Sequence, residues 1–434
     1  MVLKRIQLGL IHVAVAMTLV PINSTLNRVM IKELAISATL VAILASLPYL
    51  FSPIQVAIGS FSDRHPVLGY RRSPYILLGL LLCVLGVIVS PQAAFLISKD
   101  FWTGVGLSLL AFGAWGMGFN LASVSYLSLA SELSGENSRG KTVAVMWFMM
   151  ISSIIVTAIA LSHMVDPYTP QAMLRAFWTI GLSALFLGLA GMLWLEQRST
   201  RGWTSSADSY SWRQSYRAIL ENRQATAFFW YLTILLAAIL GQDILLEPFG
   251  GEAFSLSVRD TTRITSLWGG CVLIALLAAG FLEGRISKKT IAQWGAGVAL
   301  AGFVFIASSG FLLNPGAFYA GVVLLGFGTG LATVSNLSLM LDMTTAEKMG
   351  LFIGAWGMSN ALSRLVGSVL GGAVRDMVSR FAQDAVIGYA VVFIIEAVML
   401  AVSLLLLRGI DVKSFRRQTQ SHSFVERAAL ASDA

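Results

Sequence analysis

Two carboxylates spaced one helical turn apart are the side chains in this sequence best suited to chemistry. Asp243 and Glu247 lie in the run 242–251, at the end of an apolar stretch that begins near Ala227. An ionised Asp near the centre of a bilayer costs about 2.5 to 3.5 kcal/mol on insertion scales, so such a pair persists only where it has partners or a function. The spacing therefore indicates either a proton relay or an ion-paired site.

The composition places this run in a membrane protein. Hydrophobic residues make up 56% of the 434-residue chain, charged residues make up 12%, and the mean hydropathy is +0.76. A soluble fold of this length could not cover so much apolar surface. The two cysteines, Cys83 and Cys271, lie in separate apolar segments, which indicates neither a disulfide framework nor a metal cluster. We expect an all-α, multi-pass membrane protein with no metal site and no required cofactor.

Twelve apolar segments are long enough to cross a bilayer as helices. The predicted spans are 6–31, 35–60, 74–92, 101–131, 141–163, 171–195, 226–249, 261–283, 291–313, 316–341, 350–375 and 385–408. The first segment follows Lys4 and Arg5, like the apolar region of a signal peptide. It is too long for one, however, and no small-residue cleavage site follows it. It is therefore interpreted as the first span.

Lys and Arg are distributed unequally between the two sides of these spans. With a cytoplasmic N-terminus, 21 of the 30 basic residues fall in cytoplasmic segments, eight fall on the other side, and Arg364 falls within a span. This bias predicts that both termini are cytoplasmic. The basic residues are scattered over many loops, so the formal charge of +8 is attributed to topology and anionic lipid, and nucleic acid is not an expected partner.

The chain also repeats itself at a constant offset of 210 residues. The first copy contains Gly116, Gly118, Ala122, Val124, Ser125, Leu127, Ser128, Leu129, Glu132 and Gly140; the second contains Gly326, Gly328, Ala332, Val334, Ser335, Leu337, Ser338, Leu339, Asp342 and Gly350. An internal repeat of this length predicts two six-helix halves. We place the N-terminal half at 1–195, a cytoplasmic linker at 196–225, the C-terminal half at 226–408 and a cytoplasmic tail at 409–434.

A second repeat falls in the loops after predicted spans 2 and 8. The first copy holds Gly59, Asp63, Arg64, Gly69, Arg71 and Arg72, and the second holds Gly280, Glu283, Arg285, Lys288 and Lys289. Both resemble the loop signature of the major facilitator superfamily, in which an acid and a basic pair surround a tight turn. In the first copy, residues 65–68 stand where the signature has one residue and lengthen the turn. We expect these gating loops to pair with neighbouring acids and helix ends, and an ordinary basic loop is the alternative.

Three segments resemble one particular family within this superfamily. Residues 25–30, the loop 62–76 and the run 242–251 resemble the bacteriochlorophyll delivery family, of the PucC and LhaA type, within the major facilitator superfamily. The resemblance implies a twelve-helix major facilitator fold and a non-enzymatic role in building light-harvesting or photosystem complexes. It further implies chlorophyll or bacteriochlorophyll as cargo, antenna or photosystem subunits as partners, and a bacterial inner, photosynthetic or thylakoid membrane.

Two other functions are compatible with the sequence. The first is a secondary transporter of an amphipathic small solute. The second is a membrane scaffold that transports nothing. No nucleotide-binding loop of the type Gly-x-x-x-x-Gly-Lys-Ser/Thr occurs in the chain, so ATP-driven transport is not expected.

Arg28 is the predicted cationic partner of the acidic run. At 1.5 Å per residue, Arg28 lies ~33 Å along span 1, while Asp243 and Glu247 lie ~26 Å and ~32 Å along span 7. In the superfamily that this chain resembles, these equivalent first helices line the central cavity. We expect Arg28 to pair with Glu247 or Asp243 as a latch between the halves, with Asn27 and Gln242 beside it. The alternative is that these charges are simply hydrated at the membrane interface.

Two further charges lie deeper in the predicted spans. Arg364 is ~21 Å along span 11 and Glu396 is ~18 Å from the cytoplasmic end of span 12, so their depths are similar. This similarity predicts a buried structural ion pair between them. Proton coupling through Glu396 is the alternative.

Histidine is a natural ligand for a pigment because neutral imidazole binds metals well. Of the four histidines, only His12 lies well within a predicted span. We therefore name His12 as the candidate axial ligand for the magnesium of a chlorin, with Asn120, Asn360 or a water as alternatives. A His12 that only hydrogen-bonds to a neighbouring side chain is the competing interpretation.

Overall fold

The computed structural model describes residues 2–51, 54, 58, 61–62, 65–134, 139–198, 223–282, 285–342 and 349–410. Within these residues the chain is almost entirely helical, as expected. The helices are α1 (Val2–Met17), α2 (Ala38–Ala45), α3 (Leu47–Leu50), α4 (Ser73–Ile97), α5 (Phe101–Ser134), α6 (Arg139–Met164), α7 (Pro170–Met192), α8 (Arg223–Gly241), α9 (Leu246–Phe254), α10 (Val258–Leu282), α11 (Lys288–Leu312), α12 (Pro315–Asp342), α13 (Met349–Ala382) and α14 (Ala385–Arg408).

Ten helices in the described residues are long and apolar enough to cross a membrane. They correspond to ten of the twelve predicted spans and confirm a multi-pass membrane protein. The predicted span 35–60 contains α2 and α3, and the rest of it is only partly described. The predicted span 350–375 falls within the 34-residue α13, which is not among the ten. The count of twelve spans therefore stays a prediction.

Short backbone irregularities interrupt two of the long segments. After α1, the chain continues through two π-helical turns, Pro21–Leu26 and Val29–Glu33. Between α8 and α9 lies one turn of 3₁₀-helix, Gln242–Ile244. Both irregular segments contain residues singled out from the sequence.

Glycines allow close helix packing at both members of the 210-residue repeat. A Cβ atom on Gly118 of α5 would lie 2.5 Å from the carbonyl oxygen of Gly79 in α4. A Cβ atom on Gly328 of α12 would lie 2.7 Å from the carbonyl oxygen of Gly295 in α11. Neither position has room for a side chain, so the small residues bring the two backbones into contact. The same packing arrangement thus recurs at repeat-related glycines.

The described residues up to 198 form the N-terminal part, and those from 223 onward form the C-terminal part. The two parts pack together through α6 against α10, where a Cβ atom on Gly269 would lie 3.2 Å from Ile155. They also pack through α2 against α13. The loops 34–37, 165–169 and 255–257 lie at one end of the bundle, which we call the Arg28 end.

Candidate functional site

Proline explains why the backbone is irregular where the candidate residues lie. Helix α1 ends at Met17, four residues before Pro21, and the 3₁₀ turn ends at Ile244, four residues before Pro248. Proline lacks an N–H and its ring clashes with the carbonyl of the residue four positions earlier, so a regular helix cannot pass through unchanged. Short π-helical turns of this kind are frequent at functional sites.

Glu247 is a buried carboxylate held between the two parts. Its side chain is 3% exposed. Ser24 Oγ, in the first π-helical turn, donates a hydrogen bond to Glu247 Oε1 at 2.5 Å, and Thr265 Oγ1 of α10 donates to the same oxygen at 2.5 Å. A hydroxyl from each part therefore binds this one oxygen.

Four buried polar atoms in the segments that carry Arg28 and Glu247 have no hydrogen-bond partner within the described residues. These atoms are Asn27 Oδ1, Arg28 Nε, Gln242 Oε1 and Glu247 Oε2. Asn27 Nδ2 donates to the carbonyl of Asn23 at 3.2 Å, and Gln242 Nε2 donates to Asp243 Oδ1 at 2.9 Å. Buried polar groups without partners are uncommon in folded proteins and deserve an explanation when they cluster.

Arg28 joins the two parts at the Arg28 end. Its guanidinium donates to Glu33 Oε1 at 2.5 Å through Nη1 and to the carbonyl of Leu256 at 3.0 Å through Nη2. Lys32 Nζ donates to the carbonyl of Gly251, near the end of α9. Both cations thus satisfy carbonyl oxygens close to a helix C-terminus, where the helix dipole favours positive charge.

The predicted ion pair between Arg28 and Glu247 or Asp243 is wrong. The ion-pair partner of Arg28 is Glu33, Glu247 accepts from hydroxyls, and Asp243 pairs with Arg364. The π-helical backbone gives the reason, because residues five apart face the same side of a π-helix. Glu33, five residues after Arg28, therefore reaches the guanidinium first, although Arg28 still connects the two parts through Leu256.

Asp243 is paired with a charge that lies within α13. Arg364 Nη1 donates to Asp243 Oδ2 at 3.2 Å and to the hydroxyl of Tyr49 at 3.1 Å. The guanidinium carbon of Arg364 also lies 5.1 Å from the centre of the Tyr49 ring. Because Tyr49 belongs to α3, this arginine forms a second polar connection between the N-terminal and C-terminal parts.

The predicted ion pair between Arg364 and Glu396 is also wrong. Glu396 is 4% exposed and lies beside Gly241, where an added Cβ atom would be 2.9 Å from Glu396 Oε1. Equal depth along two helices determines only how far into the membrane each side chain lies. The direction in which each side chain points is set by helix rotation, and here Arg364 meets Asp243 and Tyr49.

The first gating loop is described from residue 65 onward, and Gly59, Asp63 and Arg64 lie outside the described residues. Val67 and Tyr70 exchange backbone hydrogen bonds of 2.9 Å around a tight turn in which Gly69 has a φ of 82°. Glu132 of α5 forms ion pairs with Arg71 at 2.5 Å and Arg72 at 3.2 Å. The extra residues of this loop thus form the tight turn, and the basic pair contacts an acid of a neighbouring helix.

Glu196 adds a contact that the sequence did not suggest. Its carboxylate accepts backbone N–H groups from Arg71 at 2.8 Å, from Arg72 at 3.0 Å and from Ser73 at 2.6 Å. These donors belong to the N-terminal end of α4. Glu196 therefore caps α4 from a distant position in the chain.

The second gating loop makes different contacts. Glu283 lies outside the described residues, Arg285 is exposed, and Lys288 begins α11. Lys289 Nζ donates to the carbonyls of Arg408 at 2.8 Å and Ile410 at 2.9 Å. A lysine thus satisfies the C-terminal carbonyls of α14, which agrees with the expected pairing of loop cations with helix ends.

His12 lies between aromatic rings in the N-terminal part. It is 6% exposed, and its ring centroid is 5.1 Å from that of Tyr126 and 6.1 Å from that of Trp147. Its Nδ1 atom has no hydrogen-bond partner among the described residues. The competing interpretation, a histidine satisfied by a neighbouring side chain, is therefore not supported at Nδ1. A ligand role for His12 stays a prediction.

The buried carboxyl and amide groups of this arrangement can bind protons or polar ligands. In the described part of the chain, no group of three or more His, Cys, Asp or Glu side chains could hold a metal ion. The sequence does not single out the hydroxyl donors Ser24 and Thr265 or the aromatic partner Tyr49. Their types are too common in membrane helices to give a signal without the fold.

Comparison with known proteins places the chain among membrane proteins of related sequence. Protein PucC of Rhodobacter capsulatus is 31% identical over 423 residues, covering 92% of this chain and 90% of that protein. A protein of the same organism named bacteriochlorophyll synthase 44.5 kDa chain is 25% identical over 417 residues, covering 94% of this chain and 95% of that protein.

Solved structures share the fold at low sequence identity. A point mutant of the nucleoside transporter NupG superposes with a TM-score of 0.75 at 13% identity, covering 94% of this chain and 99% of that one. A bacterial homologue of the human drug peptide transporters PepT1 and PepT2 gives a TM-score of 0.69 at 13% identity, covering 96% and 99%. These similarities show the fold alone.

A family model described as PUCC protein matches residues 25–415. The match includes the run 242–251, both gating loops and the segments that carry Arg28, Arg364 and Glu396. It confirms the family predicted from the resemblance of those residues. The chain belongs to the PUCC protein family.

Proposed function

We propose that this protein assists the assembly of light-harvesting or photosystem complexes by delivering chlorophyll or bacteriochlorophyll within the membrane. The observation that carries the proposal is its relation, over more than 90% of the chain, to PucC proteins and to a relative named as a bacteriochlorophyll synthase chain. A carrier role agrees with the transporter fold. The expected partners are membrane lipids, pigment and antenna or photosystem subunits.

The polar contacts between the two parts support a carrier more than a static anchor. Glu247, Arg28 and Arg364 each contact residues of both parts, and each forms one hydrogen bond across the interface between them. Such contacts can be broken and remade at modest energetic cost, because a single hydrogen bond contributes only about 0.5 to 3 kcal/mol net, with the upper half of that range for charged groups. In this role the protein is not an enzyme, and the pigment is cargo.

Absorption spectroscopy of the protein purified in mild detergent tests the proposal directly. The expected result is a stoichiometric chlorin spectrum that elutes with the protein and is lost after denaturation. Deletion of the gene from its host should also reduce the amount of assembled antenna complex, with recovery when the gene is restored. Purified protein without pigment, together with normal antenna levels in the deletion strain, would contradict the proposal.

Transport of an amphipathic small solute is the second candidate function. The structural likeness to nucleoside and peptide transporters favours it. Saturable, gradient-dependent uptake by proteoliposomes would support this function, and pigment would then be absent from the purified protein. A scaffold that transports nothing predicts instead that variants at Glu247 behave as wild type, while variants on a lipid-facing helix lose partner binding.

We also propose the topology that this function needs, with twelve spans in two six-helix halves and both termini in the cytoplasm. Gln171 and Arg285 are exposed and fall on opposite sides of the membrane in this topology. Each can be changed to Cys, since the native Cys83 and Cys271 are buried. A membrane-impermeant maleimide added to intact cells should label Gln171→Cys and spare Arg285→Cys. The reverse pattern would invert the topology.

A further inference from the structure

Glu247 has an unusual environment for a carboxylate buried in a membrane protein. Both hydrogen bonds to Oε1 come from neutral hydroxyls, those of Ser24 and Thr265. Its other oxygen, Oε2, is buried and has no partner among the described residues. No ion pair with Glu247 occurs in the described part of the chain. An ionised carboxylate in this position would therefore be buried without a countercharge, which is strongly unfavourable.

Charged groups in the segments around Glu247 are engaged elsewhere. Arg28 interacts with it electrostatically, but the guanidinium donates to Glu33 and Leu256. On the preceding turn, Asp243 pairs with Arg364. Helix α10 presents Thr265 to the carboxyl group and carries its own charged residues, Arg259, Asp260 and Arg263, in its first two turns.

We propose that Glu247 is a proton-binding site and that its protonation is coupled to separation of the N-terminal and C-terminal parts at the Arg28 end. Ser24 belongs to the N-terminal part, whereas Glu247 and Thr265 belong to the C-terminal part. Separation of the parts must therefore remove one hydroxyl donor and admit water to the carboxyl group. The coupling does not depend on the identity of the cargo.

Thermodynamic linkage between protonation of Glu247 and opening of the Arg28 end determines which pH favours which arrangement. The closed arrangement buries the carboxyl group and favours its neutral, protonated form, while water in the open arrangement stabilises the carboxylate. A group that binds protons more tightly in one of two states shifts the equilibrium between them with pH. Low pH therefore favours closure of the Arg28 end, and high pH favours its opening.

Glu396 provides a matched control. It is also a buried glutamate, 4% exposed, and its Oε2 atom also lacks a partner among the described residues. Its neighbours Gly241 and Asp243 both belong to the C-terminal part. Separation of the two parts leaves these neighbours in place, so protonation of Glu396 is not coupled to opening.

Distances between spin labels measure the opening. Gln171 in α7 and Arg380 in α13 are exposed and lie toward the Arg28 end in different parts. Both are changed to Cys in a background carrying Cys83→Ala and Cys271→Ala, and the label separation is measured between about pH 4 and pH 9. The parent protein should shift to longer separations as the pH rises. Glu247→Gln should keep the short separation throughout, and Glu396→Gln should follow the parent.

A second variant keeps the test decisive if Glu247→Gln does not fold. Ser24→Ala removes the hydrogen bond that stabilises the closed arrangement, so its opening transition should move to lower pH, by about one unit. A parent protein with no pH-dependent separation would overturn the proposal. So would a Glu247→Gln protein that titrates like the parent, or loss of the transition in Glu396→Gln instead.

Discussion

Arg364, within a predicted span, both neutralises a carboxylate and connects the N-terminal and C-terminal parts. Its Nη1 atom serves both Asp243 and the Tyr49 hydroxyl, and its guanidinium lies over the Tyr49 ring. The side chains of Arg364 and Asp243 are 29% and 25% exposed, so the pair is only partly removed from water. We therefore place its energetic value between those of surface and fully buried ion pairs.

Breaking this pair should destabilise the protein moderately. Arg364→Gln should lower the free energy of unfolding by about 1 to 2 kcal/mol, because it leaves Asp243 without its cation. Adding Asp243→Asn should cost less than the sum of the single changes, since both remove the same interaction. Apparent thermal unfolding in detergent measures each variant. Coupling of Arg364 to Glu396 rather than to Asp243 would contradict the structure.

A second histidine provides a control for the proposed role of His12 as a pigment ligand. If His12 holds the magnesium of a chlorin, His12→Ala should strongly reduce the pigment that purifies with the protein. His163 is exposed at the end of α6 and provides the control, since His163→Ala should retain the pigment. Absorption per mole of purified protein is the measurement. Equal pigment in both variants would exclude His12 as the ligand.

At the scale of helices, the cap on α4 shows how a distant acid can fix a helix start. Three consecutive N–H groups point at Glu196, although Arg72 offers no side-chain cap of its own. The sequence places Glu196 at the boundary of the predicted linker, where nothing marks it as structural. The contact depends on α4 and the end of α7 lying side by side.

Removal of this cap should be measurable. Glu196→Ala should lower the free energy of unfolding by about 0.5 to 2 kcal/mol, the range typical of lost N-caps. Asp384→Ala is the matched control, because Asp384 is exposed and accepts one backbone N–H, from Val386, at the start of α14. Its effect on apparent thermal unfolding should be smaller. An apparent thermal unfolding of Glu196→Ala that matches the parent protein would show that the Glu196 contact is unimportant.

The sequence predicts the positions of the helices better than the contacts between their side chains, for a physical reason. Hydrophobic length locates a membrane helix, and ten of the predicted spans have counterparts among helices that are apolar enough to cross a membrane. Pairing depends on how each helix is rotated about its axis, which length and depth do not determine. The π-helical turns after Pro21 rotate Arg28 toward Glu33, and the rotation of α13 brings Arg364 to Asp243. The prolines were visible in the sequence, but the consequence of each for side-chain direction was not.

At the scale of the whole molecule, the Arg28 end is closed by polar contacts between the two parts. Asp376 of α13 accepts N–H groups from Ala38 at 3.1 Å and Thr39 at 2.8 Å, at the start of α2. Arg259 pairs with Asp166 at the same end. Each contact is individually weak, so the closed arrangement is stabilised by their sum and remains reversible.

A disulfide across this end should hold it closed. The hydroxyls of Thr25 and Thr262 are 2.9 Å apart and belong to different parts, so Thr25→Cys with Thr262→Cys places two thiols beside each other across the interface. Oxidation should slow hydrogen exchange in residues 255–262, and pigment release should slow as well if cargo leaves through this end. The reduced protein should exchange as the parent does.

The chain contains an equivalent pair that does not cross the interface. The hydroxyls of Thr233 and Ser359 are 2.8 Å apart, and both residues belong to the C-terminal part. A disulfide between cysteines at these two positions adds the same covalent constraint without joining the parts. Exchange in residues 255–262 should then be unchanged by oxidation, because opening moves one part relative to the other. If both disulfides slowed exchange equally, the motion would lie within the C-terminal part, and separation of the two parts at the Arg28 end would be the wrong description of how this protein opens.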